Sequence, residues 1–162
     1  MDAAIRTKVR LSNPIHFLAL GFGSGLAAKA PGTFGTLAAL PLVCLVSVTT
    51  PLWLYAVLAL LGSIAGVWIC GKTAEDMGVH DDAGIVWDEV IGMLITLFAV
   101  PLSWQNILLA FALFRLFDIV KPWPISYLDK HLHGGLGIML DDVVAGLAAL
   151  ACMQFLLYLG WL

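Results

Sequence analysis

Three long segments of the chain, residues 30–71, 90–114 and 143–162, contain no Asp, Glu, Lys, Arg or His. Together they cover more than half of the 162 residues. A domain that folds in water normally has about a quarter of its residues charged. Here 12% are charged and 61% are hydrophobic. This pattern excludes a soluble α/β enzyme, a disordered chain and a disulfide-stapled secreted module. It predicts a single all-α domain, residues 1–162, that folds as a compact polytopic bundle of membrane helices.

The net charge and the cysteine content indicate which partners and which disulfide bonds to expect. The net charge is −3, so the basic surface expected of a nucleic-acid-binding protein is missing, and we expect no nucleic-acid partner. The three cysteines lie inside apolar segments without CxxC spacing, and their odd number prevents complete pairing within the chain. We interpret them as small core or lipid-facing residues.

Helix breakers divide the uncharged segments into spans. Residues 30–71 would form a helix of roughly 63 Å, about two bilayer cores, and Pro51 interrupts them. Pro101, followed by a possible N-cap at Ser103, interrupts residues 90–114 and leaves two short helices. These are either marginal spans or a re-entrant hairpin packed inside protein. About five membrane helices are predicted, near residues 34–48, 52–70, 85–100, 104–119 and 138–160.

Shorter segments predict interfacial elements. Residues 14–28 are predicted to form a Gly-rich helix against the inner face of the bundle. Residues 125–133 place apolar side chains on one stripe and suit a short amphipathic helix, after which Gly134 and Gly135 predict a flexible hinge. Ala28-Lys29-Ala30 resembles a signal-peptidase site, but the glycines before it weaken the apolar run, so we expect no cleavage.

Basic residues indicate the orientation in the membrane. They precede the first predicted span, follow the second and lie between the fourth and fifth, whereas the opposite turns have none. The positive-inside rule therefore predicts a cytoplasmic N-terminus, charged loops on the cytoplasmic side and an external C-terminus.

Acidic doublets open two of the predicted helices. Asp88-Glu89 and Asp141-Asp142 each follow a Gly-Ile pair and precede a Val within apolar sequence. One acid would be enough to complement a helix dipole, and that remains the simpler interpretation. Repeated carboxylates at a membrane are costly unless they are paired, which favours a metal or proton role. With Asp81, Asp82 and Asp118 they would repel one another without a cation, and oxygen ligands favour Mg²⁺ over zinc.

Basic side chains accompany these acids. Arg115, Asp118 and Lys121 are spaced i, i+3, i+6 at a predicted helix end, which is compatible with simple salt bridges or with a site. Lys29 and Thr33 lie where a Pro-Gly turn enters the first full span. Free N–H groups at such a helix start favour an anion, so this segment is either an ordinary helix start or part of a phosphate clamp.

Four motifs in this order resemble the phosphatidylglycerophosphatase A family over residues 20–146. They are residues 23–36 with Pro31-Gly32-Thr33-Phe34-Gly35-Thr36, residues 85–93 with Trp87-Asp88-Glu89, residues 114–124 from Phe114 to Pro124, and residues 134–142 ending in Asp141-Asp142. One position departs from the pattern, because Asp82 stands where proline usually follows Asp81, which makes Asp82 the less secure member of the acidic set.

The resemblance implies an all-helical, Mg²⁺-dependent lipid phosphatase of the bacterial inner membrane that converts phosphatidylglycerophosphate to phosphatidylglycerol and phosphate. We expect Asp88, Glu89, Asp118, Asp141 and Asp142 to bind the metal and Lys29, Thr33, Arg115 and Lys121 to orient the phosphate. The expected catalytic residues are Asp81, a candidate general base, with Asp88, Glu89, Asp118 and Asp142. The alternative is a small cation- or proton-coupled transporter, although carriers need acids near the bilayer midplane and these lie near span ends.

Overall fold

The computed structural model describes residues 3–162, with side chains from Ile5 onward, and this part of the chain contains helices and turns but no strand. The all-α prediction is therefore confirmed. The α-helices are α1 (Ala3–Arg6), α2 (Pro14–Ala19), α3 (Pro31–Thr49), α4 (Leu52–Met77), α5 (Trp87–Thr96), α6 (Trp104–Val120), α7 (Ile125–His131) and α8 (Gly134–Tyr158), and a 3₁₀ segment covers Gly21–Leu26.

Three described helices, α3, α4 and α8, are long and apolar enough to cross a membrane. They contain 19, 26 and 25 residues. The expected number of about five spans is not confirmed, because α5 has only 10 residues and extends about 15 Å at 1.5 Å per residue. Helix α6 has 17 residues, about 25 Å, which is shorter than the usual 30 Å core.

The short helix α5 lies inside the bundle. All of its residues from Glu89 to Thr96 are buried, and it packs against α3, α4, α6 and α8. It ends before Ala99, whose positive φ of 55° turns the chain toward Pro101 and the start of α6. Helix α5 is therefore surrounded by protein, as the hairpin alternative requires. A short helix at membrane depth is tolerated where other parts of the protein shield it from lipid.

The helices alternate in direction, so their ends meet in two groups. The hydroxyl of Tyr55, near the start of α4, donates to the carbonyl of Leu94, near the end of α5, at 2.6 Å. At the other end, Lys8 Nζ donates to the carbonyl of Met77, the last residue of α4, at 2.7 Å. We call this second end, where α3, α5 and α8 begin and α4 and α6 finish, the polar end. It contains the described charged residues, all of which lie outside the three uncharged segments.

Two glycines allow α5 and α8 to cross closely. A Cβ on Gly146 would lie 2.7 Å from the carbonyl oxygen of Gly92, which is closer than real Cβ atoms approach backbone. Thr96 lies at the same crossing and donates its hydroxyl to the Gly92 carbonyl at 2.8 Å. The contact lies about one turn after each acidic doublet, and it holds the two doublets side by side.

Two local expectations are wrong. Residues 14–28 do not form one helix, because α2 ends at Ala19 and the chain passes through positive φ at Phe22 and Gly23, 60° and 97°. Gly135 is not a free hinge either. It lies within α8, and any side chain there would overlap the Val67 carbonyl of α4, so its role is a close helix contact.

Candidate active site

The acidic residues predicted from separate motifs line one cavity at the polar end. Its volume is about 120 Å³, and Lys121 and Ile138 form further parts of its wall. The acids on its wall are Asp81, Asp82, Asp88, Glu89, Asp118, Asp141 and Asp142. Residues separated by up to 61 positions in the chain therefore line one cavity.

Each acidic side chain is positioned by a helix end or by the loop before one. Asp88 and Glu89 lie in the first turn of α5, where the partial positive charge of the helix start favours carboxylates. Asp118 lies near the end of α6, and Asp141 and Asp142 lie in the second and third turns of α8. The Gly92–Gly146 crossing then sets the α5 and α8 groups against each other.

Three of these carboxylates form a candidate metal centre. One oxygen each from Asp88, Glu89 and Asp142 can be chosen so that all three lie within 4.8 Å of one another. Asp88 Oδ1 and Glu89 Oε2 are buried and have no hydrogen-bond partner among the described residues. Buried oxygens without donors are costly, and a hard divalent cation would satisfy them, so the donor set fits Mg²⁺.

The other two predicted ligands are engaged with basic side chains. Asp118 Oδ2 lies 2.5 Å from Arg115 Nη1, and Asp141 Oδ2 accepts a hydrogen bond from Lys121 Nζ at 2.6 Å. Asp118 also lies close enough to Asp142 for the two carboxyl groups to interact. Both acids are thus placed around the three-carboxylate group and are partly neutralised there.

Arg115 links the acidic cavity to the start of α3. Its guanidinium is largely buried, and Nη1 lies 3.7 Å from Glu89 Oε1 as well as near Asp118. A Cβ on Gly32 would overlap Glu89 Oε1 and lie 3.1 and 3.2 Å from the two terminal nitrogens of Arg115, so the absence of a side chain at Gly32 lets the α3 backbone approach both groups. The first turn of α3 has no side-chain cap. Free amides and a guanidinium together suit an anion.

Lys121 ends α6 in the left-handed conformation, with φ 45°. Its ammonium group is bound by Asp129 of α7 as well as by Asp141. Burial, the largest single influence, lowers the pKa of Lys121, but the hydrogen bonds from Asp129 and Asp141 outweigh it and the net pKa is raised. Lys121 therefore stays positively charged at the cavity wall.

Asp81 and Asp82 differ in their roles within the loop before α5. Asp82 Oδ1 accepts a hydrogen bond from the Gly84 amide at 2.8 Å, so this side chain helps to shape the turn. Asp81 is exposed at the mouth of the cavity, while nearby atoms partly desolvate its carboxyl group and raise its pKa. A raised pKa favours the Asp81 carboxylate as a proton acceptor.

Of the four expected phosphate-binding residues, Lys121 lies on the wall of the acidic cavity, whereas Arg115, Lys29 and Thr33 do not. Lys29 is exposed, and Thr33 is half-buried in the first turn of α3 next to Gly32. Their neighbour Gly32, which contacts Arg115, brings this segment nearer to the site than either side chain does. Asp129 is a site neighbour that sequence reasoning missed, because it had been assigned only to the polar face of an interfacial helix.

Comparisons with known proteins identify the family and several relatives of this chain. The family model described as phosphatidylglycerophosphatase A matches residues 17–157. Proteins named phosphatidylglycerophosphatase A from Escherichia coli K12 and Haemophilus influenzae are 49% and 52% identical, over 93% and 88% of this chain and 88% of each relative. A putative phosphatidylinositol-3-phosphatase from Bacteroides thetaiotaomicron is 42% identical over 78% of this chain and 82% of its own length. No solved structure matches.

The matched region contains every acidic residue of the cavity and extends from α2 to the last turns of α8. The family model covers far more than half of the chain, and the two relatives of that name cover most of it. The chain belongs to the phosphatidylglycerophosphatase A family.

Proposed function

We propose that this protein hydrolyses the terminal phosphomonoester of phosphatidylglycerophosphate and releases phosphatidylglycerol and inorganic phosphate in phospholipid biosynthesis. The observation that carries the proposal is the shared cavity. Carboxylates from α5, α6, α8 and the Asp81 loop meet there beside Arg115 and Lys121. The names of two relatives give the same activity.

In this proposal Asp88, Glu89 and Asp142 hold Mg²⁺, with Asp118 and Asp141 beside them. Bound there, the cation supplies positive charge that offsets the repulsion between the carboxylates and an incoming phosphoryl group and favours charge developing on its oxygens. The unpartnered oxygens of Asp88 and Glu89 support this assignment.

The remaining groups bind the phosphate and move protons. Arg115 and the free amides of the α3 start hold phosphoryl oxygens, with Lys29 and Thr33 as the less direct contributors. Lys121 places an N–H at the wall of the cavity. Asp81 accepts the proton of the attacking water at its carboxylate, a role that its raised pKa favours. The lipid tails stay in the bilayer beside the apolar helices.

We further propose that the protein is a multi-pass protein of the bacterial inner membrane with its polar end in the cytoplasm. The support is the positive-inside pattern together with the three apolar helices. A transporter is not favoured, because the described carboxylates gather at one end of the bundle.

The test measures phosphate release from phosphatidylglycerophosphate in detergent micelles, with Mg²⁺ and with EDTA. We expect release that depends on Mg²⁺ and stops with EDTA. Lack of phosphate release by the folded protein, with cation uptake into proteoliposomes, would overturn the phosphatase proposal and favour the carrier. Release that is unaffected by EDTA would leave the phosphatase assignment standing and remove the metal from it.

A further inference from the structure

A second cavity adjoins the acidic one at the polar end. Its volume is about 80 Å³, and it lies between the loop before α5, the end of α7 and the first turn of α8. The two cavities share Asp81, Ile138 and Asp141 as wall residues, and His80, Asp129 and Leu132 belong to the second cavity only. The two cavities are therefore direct neighbours.

The shared wall contains a buried acceptor without a donor. Asp141 is 7% exposed, its Oδ2 is bound by Lys121, and its Oδ1 has no hydrogen-bond partner among the described residues. An unsatisfied buried acceptor costs free energy that a bound donor recovers. An N–H or O–H group of a ligand would satisfy this oxygen.

The charges on the wall decide what kind of ligand fits. The ammonium group of Lys121 already binds Asp129 Oδ1 and Asp141 Oδ2, so these two oxygens are not open to a second cation. A second phosphate would face the carboxylates of Asp81, Asp129 and Asp141. A neutral hydroxyl meets neither objection, and Leu132 and Ile138 supply apolar surface for the carbon atoms that carry it.

We propose that the second cavity binds the hydroxyl-bearing part of the lipid headgroup, the glycerol unit that carries the terminal phosphate. The inference rests on the proposed function, because the terminal phosphate must occupy the acidic cavity. The glycerol hydroxyl donates its single hydrogen bond to Asp141 Oδ1, the buried acceptor without a partner among the described residues. The cavity thus selects lipid phosphates whose phosphate is carried by a hydroxylated headgroup.

The test compares two lipids in the same mixed micelles. One is phosphatidylglycerophosphate, and the other is an analogue in which propane-1,3-diol replaces the glycerol, so that only the secondary hydroxyl is missing. We expect the kcat/KM of the wild-type protein to be about tenfold higher for the hydroxylated lipid, the effect of one hydrogen bond to a charged group. Because both lipids carry the same phosphate, their ratio cancels effects on phosphate binding.

Two variants connect the preference to this cavity. Asp129→Ala removes one of the two carboxylates that bind Lys121, so that the ammonium group can engage both oxygens of Asp141, and Leu132→Phe fills part of the space. Both variants should lower the ratio toward one, while turnover of the analogue shows that the variant is folded. The matched control is Glu75→Ala, which removes an exposed α4 carboxylate 3.8 Å from Lys72 and away from both cavities. The control should keep the wild-type ratio.

Each outcome decides the matter. Equal kcat/KM for the two lipids in the wild type would overturn the hydroxyl subsite alone, and so would a tenfold preference that both cavity variants retain. Loss of one bound Mn²⁺ per chain in Asp129→Ala, measured by equilibrium dialysis, would also overturn it, because the cavity would then be a cation site. Failure of the wild type to release phosphate from either lipid would overturn the proposed function, and the subsite with it.

Discussion

Two carboxylates at the polar end are buried at a free-energy cost that indicates a binding site. Glu89 is 9% exposed and Asp142 is 3% exposed, and neither is neutralised by a close lysine. Arg115 approaches Glu89 only to 3.7 Å and is nearer to Asp118. Grouped negative charge of this kind destabilises a fold unless something positive binds. The same residues should therefore respond oppositely in tests of activity and of stability.

Activity should depend on the charge of the three clustered acids. We predict that Asp88→Asn and Asp142→Asn each lower phosphate release by at least about 100-fold. Replacing a residue that only hydrogen-bonds to a metal ligand already lowers metal affinity or activity by about 10–100-fold, and loss of a ligand should cost more. The amide keeps the shape of the side chain but is a weak ligand. Glu75→Gln, on the exposed face of α4, is the matched control and should retain activity. Wild-type turnover in both cavity variants would remove these acids from the site.

Stability should change in the other direction when metal is absent. In EDTA, we predict that Asp142→Asn melts above the wild type, because the substitution removes one of three mutually repelling charges. Each kcal/mol of repulsion removed should raise Tm by about 2–4 °C for a chain of this size. Adding Mg²⁺ should raise the Tm of the wild type more than that of the variant. Equal Mg²⁺-induced shifts in thermal melts would contradict a metal at this residue.

The close approach of helices α5 and α8 positions the acidic residues of the site. Helix α5 is too short to cross a bilayer, but its buried position brings Asp88 and Glu89 beside α8. That position depends on the Gly92–Gly146 crossing, where backbone lies against backbone. Elsewhere a glycine is less critical: a Cβ on Gly62 of α4 would meet only Ile91 Cδ1, at 2.6 Å, the flexible tip of a side chain.

The two glycines therefore make a matched pair for a test of packing. We predict that Gly146→Ala lowers both Tm and phosphate release, because its methyl group would force α8 away from the α5 backbone. An overpacked core position typically costs about 1–3 kcal/mol. Gly62→Ala should cost less, because the Ile91 side chain can rotate away. Thermal melts and phosphate release of the two purified variants would check this, and equal losses would contradict the crossing as the determinant.

The whole molecule has one polar end and one apolar end. Three helices can span a membrane, and the alternating helix directions place the described charged residues at one end. With the bundle spanning the membrane, this polar end lies at one membrane surface, where the site is in contact with water. Its reaction centre should lie at the headgroup level of the inner leaflet.

Cysteine labelling in intact cells tests the orientation. Cys44, Cys70 and Cys152 are first replaced, and single cysteines are then placed at Gln105, exposed at the start of α6, or at Lys130, exposed on α7. We predict that an impermeant maleimide added outside labels Gln105→Cys and leaves Lys130→Cys unlabelled until the inner membrane is opened. The reverse pattern would place the acidic cavity outside the cytoplasm.

Sequence alone determined the properties that depend on local composition. The uncharged segments predicted an all-helical membrane protein, and acids inside apolar sequence identified the cavity residues, because burying charge is too costly to be incidental. Tertiary structure decided which groups meet. Asp118 and Asp141 are paired with Arg115 and Lys121, Asp129 reaches Lys121 from α7, and α5 lies inside the bundle. Those outcomes depend on how closely helix backbones approach, which helical periodicity does not specify.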